Sequence, residues 1–261
     1  MNRRMTIAVA GATGRVGRYV VDALEAEGHH VVPIARSHGV DVITGAGLAE
    51  SLAGVEAIVD AATGPSPEQQ AATDFFVTAA RNLHDEGARA GVSRMVIVSI
   101  IGCDRFSGGY GAAKVAHEQA ALDGPIPAQV LRAAQFHEFV EQLVSWGRQG
   151  DVSYVPEMRT QLVAARTVGQ ALADIATDEH FAPAAAGEPF LEVAGPREES
   201  LVEAARLLAE REGDHVRIEA VHDPSDPDHE VFANGGLLPS PHATLAGPSF
   251  QAWLDSMVAA R

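Results

Sequence analysis

Short, continuously apolar runs alternate along this chain with stretches whose apolar residues recur every three or four positions. Residues 5–10, Met-Thr-Ile-Ala-Val-Ala, are too few for a helix and too uniformly apolar for a half-exposed strand. They predict a strand buried on both faces, as inside a parallel sheet. Val16, Val20, Ala23 and Leu24 then keep helical spacing, and residues 30–35 read as the next strand. The same reading places strands at 39–44, 56–62, 93–101 and 127–133, and helices at 48–52, 68–90 and 109–122. The long 68–90 helix sets Phe75, Phe76, Ala79, Ala80 and Leu83 on one side. Alternation of this kind predicts right-handed βαβ units and an α/β, doubly wound parallel sheet.

Past Phe136 the pattern changes. Helices are expected at 137–148, 167–177, 198–212 and 249–260, with small strands near 152–155, 162–164, 189–194 and 216–221. No repeat, low-complexity tract or linker interrupts the chain, so residues 1–261 are expected to form one body. About 1–136 would be its nucleotide-binding core, and about 137–261 mostly a smaller α+β lobe for substrate. Asp223 to Asp228 reads as a turn, because its prolines break the ligand spacing of a calcium loop.

The turn after the first strand carries the first chemical signal. Gly11, Gly14 and Gly17 are spaced three apart, between a strand and a helix. Gly11 permits a sharp turn, Gly14 lets backbone N–H groups approach a pyrophosphate, and Gly17 lets the helix pack on the strand. The helix N-terminus adds partial positive charge for the phosphates. The second strand ends in Arg36, nineteen residues beyond Gly17, where a site for NAD usually has an acidic residue. An arginine there accommodates a 2′-phosphate, so NADP(H) is the expected cofactor.

Composition narrows the partners. A formal net charge of −16 argues against nucleic acid, whose phosphates call for clustered Lys and Arg. No run reaches the ~18 apolar residues of a membrane span, the opening Met-Asn-Arg-Arg leads directly into a strand, and a single cysteine excludes an internal disulfide. A cytoplasmic protein with a small-molecule substrate is expected, as a monomer or small homo-oligomer. No histidine or carboxylate spacing reads as a metal site, and His117-Glu118 lacks a second ligand at i+4. Of nineteen basic residues eighteen are arginine, and Lys114 is the only lysine. A chain so biased toward Arg keeps a lysine where a compact ammonium with tunable pKa is needed.

Tyr110 stands four residues before that lysine, so the two share one helix face. Ser99 ends the preceding strand, at the carboxyl edge where open α/β sheets bind ligands. A phenol lowered by a nearby ammonium can exchange a proton near neutral pH, and a serine hydroxyl can hold the substrate oxygen. Ser99, Tyr110 and Lys114 are therefore the candidate catalytic residues.

Gly11-Ala-Thr-Gly-Arg-Val-Gly17, Ser99 and Tyr110-Gly-Ala-Ala-Lys114 resemble the short-chain dehydrogenase/reductase superfamily, with its Rossmann fold. The glycine spacing, the length and Val130-Leu-Arg-Ala-Ala-Gln-Phe-His-Glu-Phe139 look like its atypical, NmrA-like branch. The resemblance covers essentially the whole chain. It implies that the Thr13–Val16 backbone and Arg15 contact phosphates, and that Arg36 and Ser37 contact the 2′-phosphate. It also implies that Ala61, Ala62 and Thr63 lie along the adenosine and nicotinamide side, and that Ala133, Gln135 and Phe136 line the nicotinamide. Lys114 would hold the nicotinamide ribose and lower the Tyr110 pKa. The superfamily's catalytic asparagine has no counterpart, since Asn82 sits in a helix where packing is its expected role.

His137 and Cys103 are secondary candidates for substrate contact, and His29 and His30 are expected to be solvated. The activity expected is hydride transfer between NADP(H) and a small carbonyl, quinone or enone. The alternatives are a non-catalytic NADP(H) sensor acting on a partner protein, and an NADP-retaining epimerase or isomerase.

Overall fold

In a computed structural model, which describes residues 3–222 and 227–259, the alternation becomes a seven-stranded parallel sheet with flanking helices. In chain order, β1 is Thr6–Ala10, α1 Gly17–Ala26, β2 His30–Ile34, α2 Leu48–Ser51, β3 Ala57–Asp60, α3 Gln69–Ala90, β4 Arg94–Ile100, α4 Gly109–Leu122 and β5 Ala128–Ala133. Then follow α5 His137–Trp146, β6 Arg148–Gln149, β7 Val152–Pro156, β8 Arg159–Thr160, α6 Ala165–Thr177, β9 Leu191–Ala194, β10 Glu199–Ser200 and α7 Leu201–Glu212. The last elements are β11 Arg217–Val221, α8 His229–Ala233, β12 Thr244–Leu245 and α9 Phe250–Ala259. The strand order is β12-β9-β5-β4-β3-β1-β2. The chain leaves β1 for β2 on one side and reaches β3 on the other, so the order reverses at β1. Open α/β sheets bind ligands at such a switch point. Pro33 lies in β2, the edge strand, where its missing N–H breaks no ladder.

The chain divides into two compact units. The first comprises Met1–Ser99, Gly108–Arg132 and Val168–Leu191; the second comprises Ile100–Ser107, Ala133–Thr167 and Glu192–Arg261. In the first, the sheet's apolar faces supply Ala8, Ile34, Ile58, Met95, Ile97 and Val130, packed with Leu48, Leu52 and Leu83. α3 starts where the Glu68 carboxylate accepts from the Gln70 and Ala71 N–H groups, and it stops at Gly91, whose φ of +83° ends the helix in the left-handed region. In the second, β6, β7 and β11 form a three-stranded sheet, and its core joins Val140, Val155, Leu162, Leu208, Ile218, Leu237 and Phe250.

Three sequence expectations need correction. Residues 39–44 form turns, not a strand. The Asp41 carboxylate accepts from the Ile43 and Thr44 N–H groups, and Asn82 Nδ2 donates to the Val42 and Ile43 carbonyls at 2.8 and 2.9 Å. These side-chain bonds, one set local and one from α3, take up backbone groups that strand pairing would use. At 162–164 there is one bridge, Val163 to Phe136, in place of a strand. His29 is buried, not solvated, because its Nδ1 accepts the Met5 N–H at 3.1 Å. Asn82 has the packing role expected of it. The turn read at Asp223 to Asp228 lies mostly outside the described residues. Among the described residues no helix is long and apolar enough to cross a membrane.

Asn82→Ala should free the 41–44 turn at a cost of ~1 kcal/mol, the usual contribution of such a side-chain bond, read as a lower urea midpoint with unchanged m-value. An unchanged midpoint would show that the turn closes without it.

Candidate active site

The glycine turn is built as tightly as its spacing predicts. Gly11 has φ +73°, and a Cβ there would stand 2.7 Å from the Ala61 carbonyl oxygen and 2.8 Å from Ala62 Cα. A Cβ on Gly17 would collide with the Gly11 carbonyl oxygen, and one on Gly14 would come within 3.0 Å of it. Gly11 N–H donates to the Ile34 carbonyl and Gly14 N–H to the Gly11 carbonyl, at 2.9 and 2.8 Å. The turn is thus tied to β2 and to itself. α1 follows with Val16 at its N-cap and no side-chain cap, which leaves the helix start to its backbone dipole. Thr13 and Arg15 are exposed, and Val16 is buried. Backbone this bare, opening a helix at the switch point, fits a pyrophosphate. Arg36 and Ser37 are exposed in a single 3₁₀ turn directly after β2, and Ala61, Ala62 and Thr63 leave the end of β3.

Ser99 is buried in β4, and Tyr110 is half-buried in the first turn of α4. The Tyr110 ring meets Phe76 of α3 edge-on, with centroids 5.8 Å apart. Lys114, expected to hold the nicotinamide ribose, is only 4% exposed. Its Nζ donates to the Val98 carbonyl at 2.7 Å and to His117 Nδ1 at 2.9 Å, and lies 4.3 Å from the Phe76 ring centroid. The expected lowering of the tyrosine is not found, because burial pushes the Tyr110 phenol above its ordinary 10.0. An ammonium held between a carbonyl, an imidazole and a phenyl face leaves desolvation in charge of that phenol.

Two residues that the sequence reading did not place in the site complete this cluster. His117 Nε2 pairs with Asp60 Oδ2 at 3.1 Å, and Asp60 Oδ1 accepts the Ala62 N–H at 3.0 Å. Both side chains are 1% exposed. The His117 ring stacks on Phe76 at 4.7 Å. Burial alone would raise the Asp60 carboxyl, but the hydrogen bond and charge of His117, the Ala62 N–H and Lys114 together hold it below its ordinary value. Burial lowers His117, and the Lys114 charge lowers it further against the pull of Asp60 and Glu118. The available signals were a lone carboxylate in the apolar run Ala57-Ile-Val-Asp60 and a histidine one helical turn after Lys114.

The remaining candidates belong to the second unit. Cys103 is buried in a 3₁₀ turn. Ala133 ends β5, Gln135 Oε1 accepts the Thr160 hydroxyl, and Phe136 bridges Val163. His137 is fully buried, with Nε2 on the Leu162 carbonyl at 3.1 Å and its ring against Phe250 and Trp253. Its Nδ1 has no hydrogen-bond partner, and it borders a cavity of about 340 Å³ with Glu141, Leu208, Arg211, Trp253 and Leu254. No group of three or more potential metal ligands occurs among the described residues.

Residues 11–124 match the model of a family described as NAD(P)H-binding. No curated protein matches the sequence. The fold recurs in UDP-N-acetylglucosamine 4-epimerase from Bacillus cereus, 16% identical, with a TM-score of 0.70 over 98% of this chain and 96% of that one. It recurs in the Bordetella bronchiseptica enzyme WbmG in complex with NAD, 15% identical, with a TM-score of 0.69 over 98% and 94% of the two chains. It also recurs in a short-chain dehydrogenase/reductase superfamily protein from Agrobacterium tumefaciens with bound NAD, 18% identical, with a TM-score of 0.67 over 98% and 97%. The family match marks residues 11–124 as an NAD(P)H-binding segment, and the shared architecture is that of a Rossmann-type parallel sheet with flanking helices. In this chain Lys114 is tied to an inner histidine and aspartate.

Burial holds the His137 pKa at about 4, below its ordinary 6.5, so the folded protein resists protonation that the unfolded chain accepts. Stability from this group is complete above pH 6.5 and falls away toward pH 4, by at most ~3 kcal/mol. His137→Phe should flatten that decline when urea unfolding is compared at neutral and acidic pH. An identical slope in the variant would assign the acid sensitivity to other groups.

Proposed function

We propose that the protein is an NADP(H)-dependent oxidoreductase of the NmrA-like kind that works on a small carbonyl, quinone or enone in the cytoplasm. The reading is carried by Tyr110 and Lys114 on one face of α4, in the same compact unit as the bare glycine turn. Bound there, the nicotinamide cofactor supplies or accepts a hydride. The Gly11–Gly17 backbone, with Arg15, would receive the pyrophosphate at the start of α1. Arg36 and Ser37, exposed at the exit of β2, would receive the 2′-phosphate, and this supports NADP(H) over NAD(H). Ala61–Thr63, at the exit of β3, would lie along the adenosine and nicotinamide side.

On the substrate side, the Tyr110 hydroxyl would donate a proton to the substrate oxygen as hydride reaches carbon, or take it back in the reverse direction. Ser99 would hold that oxygen where charge develops. A phenol raised by burial stays protonated at neutral pH, the state needed for reduction.

A second reading draws on the epimerase among the structural neighbours: the same parts could oxidise and re-reduce a bound substrate with no net change in cofactor. A carbonyl panel read at 340 nm separates the two, since an epimerase gives product without net NADPH loss.

Two variants test the proposal. Arg36→Glu should weaken NADPH by about a hundredfold, ~2.7 kcal/mol, while NADH changes by less than about threefold, in a fluorescence titration. Equal losses for both would remove Arg36 from the 2′-phosphate. Tyr110→Phe should reduce turnover by about a hundredfold or more and leave NADPH affinity near that of the parent protein. Full turnover in that variant would move the proton step elsewhere. Tight NADPH binding with no turnover on any carbonyl would favour the sensor.

A further inference from the structure

The buried chain behind Lys114 has a direction. An ammonium only donates, so His117 Nδ1, 2.9 Å from Nζ, is an acceptor. The ring proton therefore sits on Nε2 and points to Asp60 Oδ2, 3.1 Å away. Asp60 is fixed in turn by the Ala62 N–H. Lys114, His117 and Asp60 are thus joined head to tail, with Phe76 covering both the ring and the ammonium.

All three groups are almost excluded from water, which makes a lone charge among them very unfavourable. One positive and one negative charge can persist together, and the positive one has two possible homes. We propose that Asp60, His117 and Lys114 form an inward proton relay, in which Asp60 and His117 are positioning residues that set where Lys114 stands and which charge it carries. In the forward step an Nζ–H bond breaks, its electron pair stays on nitrogen, and an Nδ1–H bond forms. Lys114 becomes a neutral amine and His117 an imidazolium that still donates to Asp60. Net charge is conserved and no co-reactant is consumed. The amine can then take up a proton released on the site side, and the reverse shift returns it. This use in turnover rests on the oxidoreductase reading above; the relay itself does not.

Other titratable groups face the chain. Glu118, next on α4, is held by a bidentate pair with Arg132 of β5 at 2.9 and 2.8 Å. His84 of α3 lies within the field of Asp60, and Tyr110 shares the Phe76 ring. The Glu118 charge acts on His117 in the same direction as that of Asp60, against the Lys114 charge.

Lys114 is the only lysine, so protein grown on ¹³Cε-labelled lysine gives one lysine signal, and its titration reads this group alone. Asp60→Asn and His117→Phe should each move the midpoint by about one pH unit or more, and the double variant by no more than the larger single shift. His117→Gln keeps an acceptor for Lys114 and a donor for Asp60, and should stay within about half a unit. Unmoved midpoints in Asp60→Asn and His117→Phe overturn the relay. If those variants do not fold, ¹⁵N shifts of the parent protein decide, with the His117 signal assigned by its absence from His117→Gln. An Nε2–H tautomer supports the relay, and an Nδ1–H tautomer overturns it.

In turnover, His117→Phe and His117→Gln should each lower kcat by about tenfold with the KM for NADPH within about twofold, because an amide keeps the hydrogen bonds but cannot take up the proton, and full kcat in His117→Gln would overturn the relay's role in the reaction. A shifted midpoint with unchanged kcat overturns the relay's role in the reaction. Failure of the parent protein to bind NADPH would sink the oxidoreductase reading instead and leave the NMR result to judge the relay.

Discussion

The first unit depends on how closely the backbones of β1, α1 and β3 approach one another. Three glycines and two alanines meet there, and a Cβ on Gly11 would press into the Ala61 carbonyl while one on Gly17 would enter the Gly11 carbonyl. Interiors packed at crystal-like density cannot absorb that many extra atoms without moving an element. The same bareness leaves the start of α1 without a side-chain cap, so the demands of packing and of the phosphate binding proposed above would fall on the same residues. This coincidence explains why the turn is a dependable sign of a nucleotide site only when strand and helix flank it.

A second constraint is electrostatic. Phe76 carries Tyr110 on its edge, His117 on its face and Lys114 within cation–π distance. One apolar ring thereby removes water from three groups at once. Desolvation raises the phenol and lowers the imidazole, while the carboxylate keeps its charge because hydrogen bonds and positive neighbours outweigh its burial. The site is tuned by shared burial more than by the phenol–ammonium attraction that a four-residue spacing suggests.

How much of this was legible in the chain follows from the same physics. The parallel strands were readable because burial on both faces writes itself as unbroken apolar runs, and α4 was placed at residues 109–122 because its spacing is regular. The 39–44 segment misled because Val40, Val42 and Ile43 look like strand residues, yet Asp41 and a distant Asn82 claim its backbone. No local pattern announces a partner forty residues away. Asp60 and His117 escaped for a similar reason. Each is ordinary on its own element, and only the sheet brings β3 alongside β4 and α4 so that they meet. Short motifs record local geometry, whereas a chain of side chains joining β3 to α4 is a tertiary fact.

That fact sharpens what the single lysine means. A guanidinium at position 114 would present a planar fork of five donors, too wide to sit between the Val98 carbonyl, His117 Nδ1 and the Phe76 face, and it would not release a proton at any ordinary pH. An ammonium is compact, has three donors for converging partners, and can lose one of its protons. In a chain that uses arginine at eighteen of nineteen basic positions, the position that requires all three properties is the one that keeps lysine. The choice follows from the size and acidity of the group and needs no appeal to its distance from Tyr110.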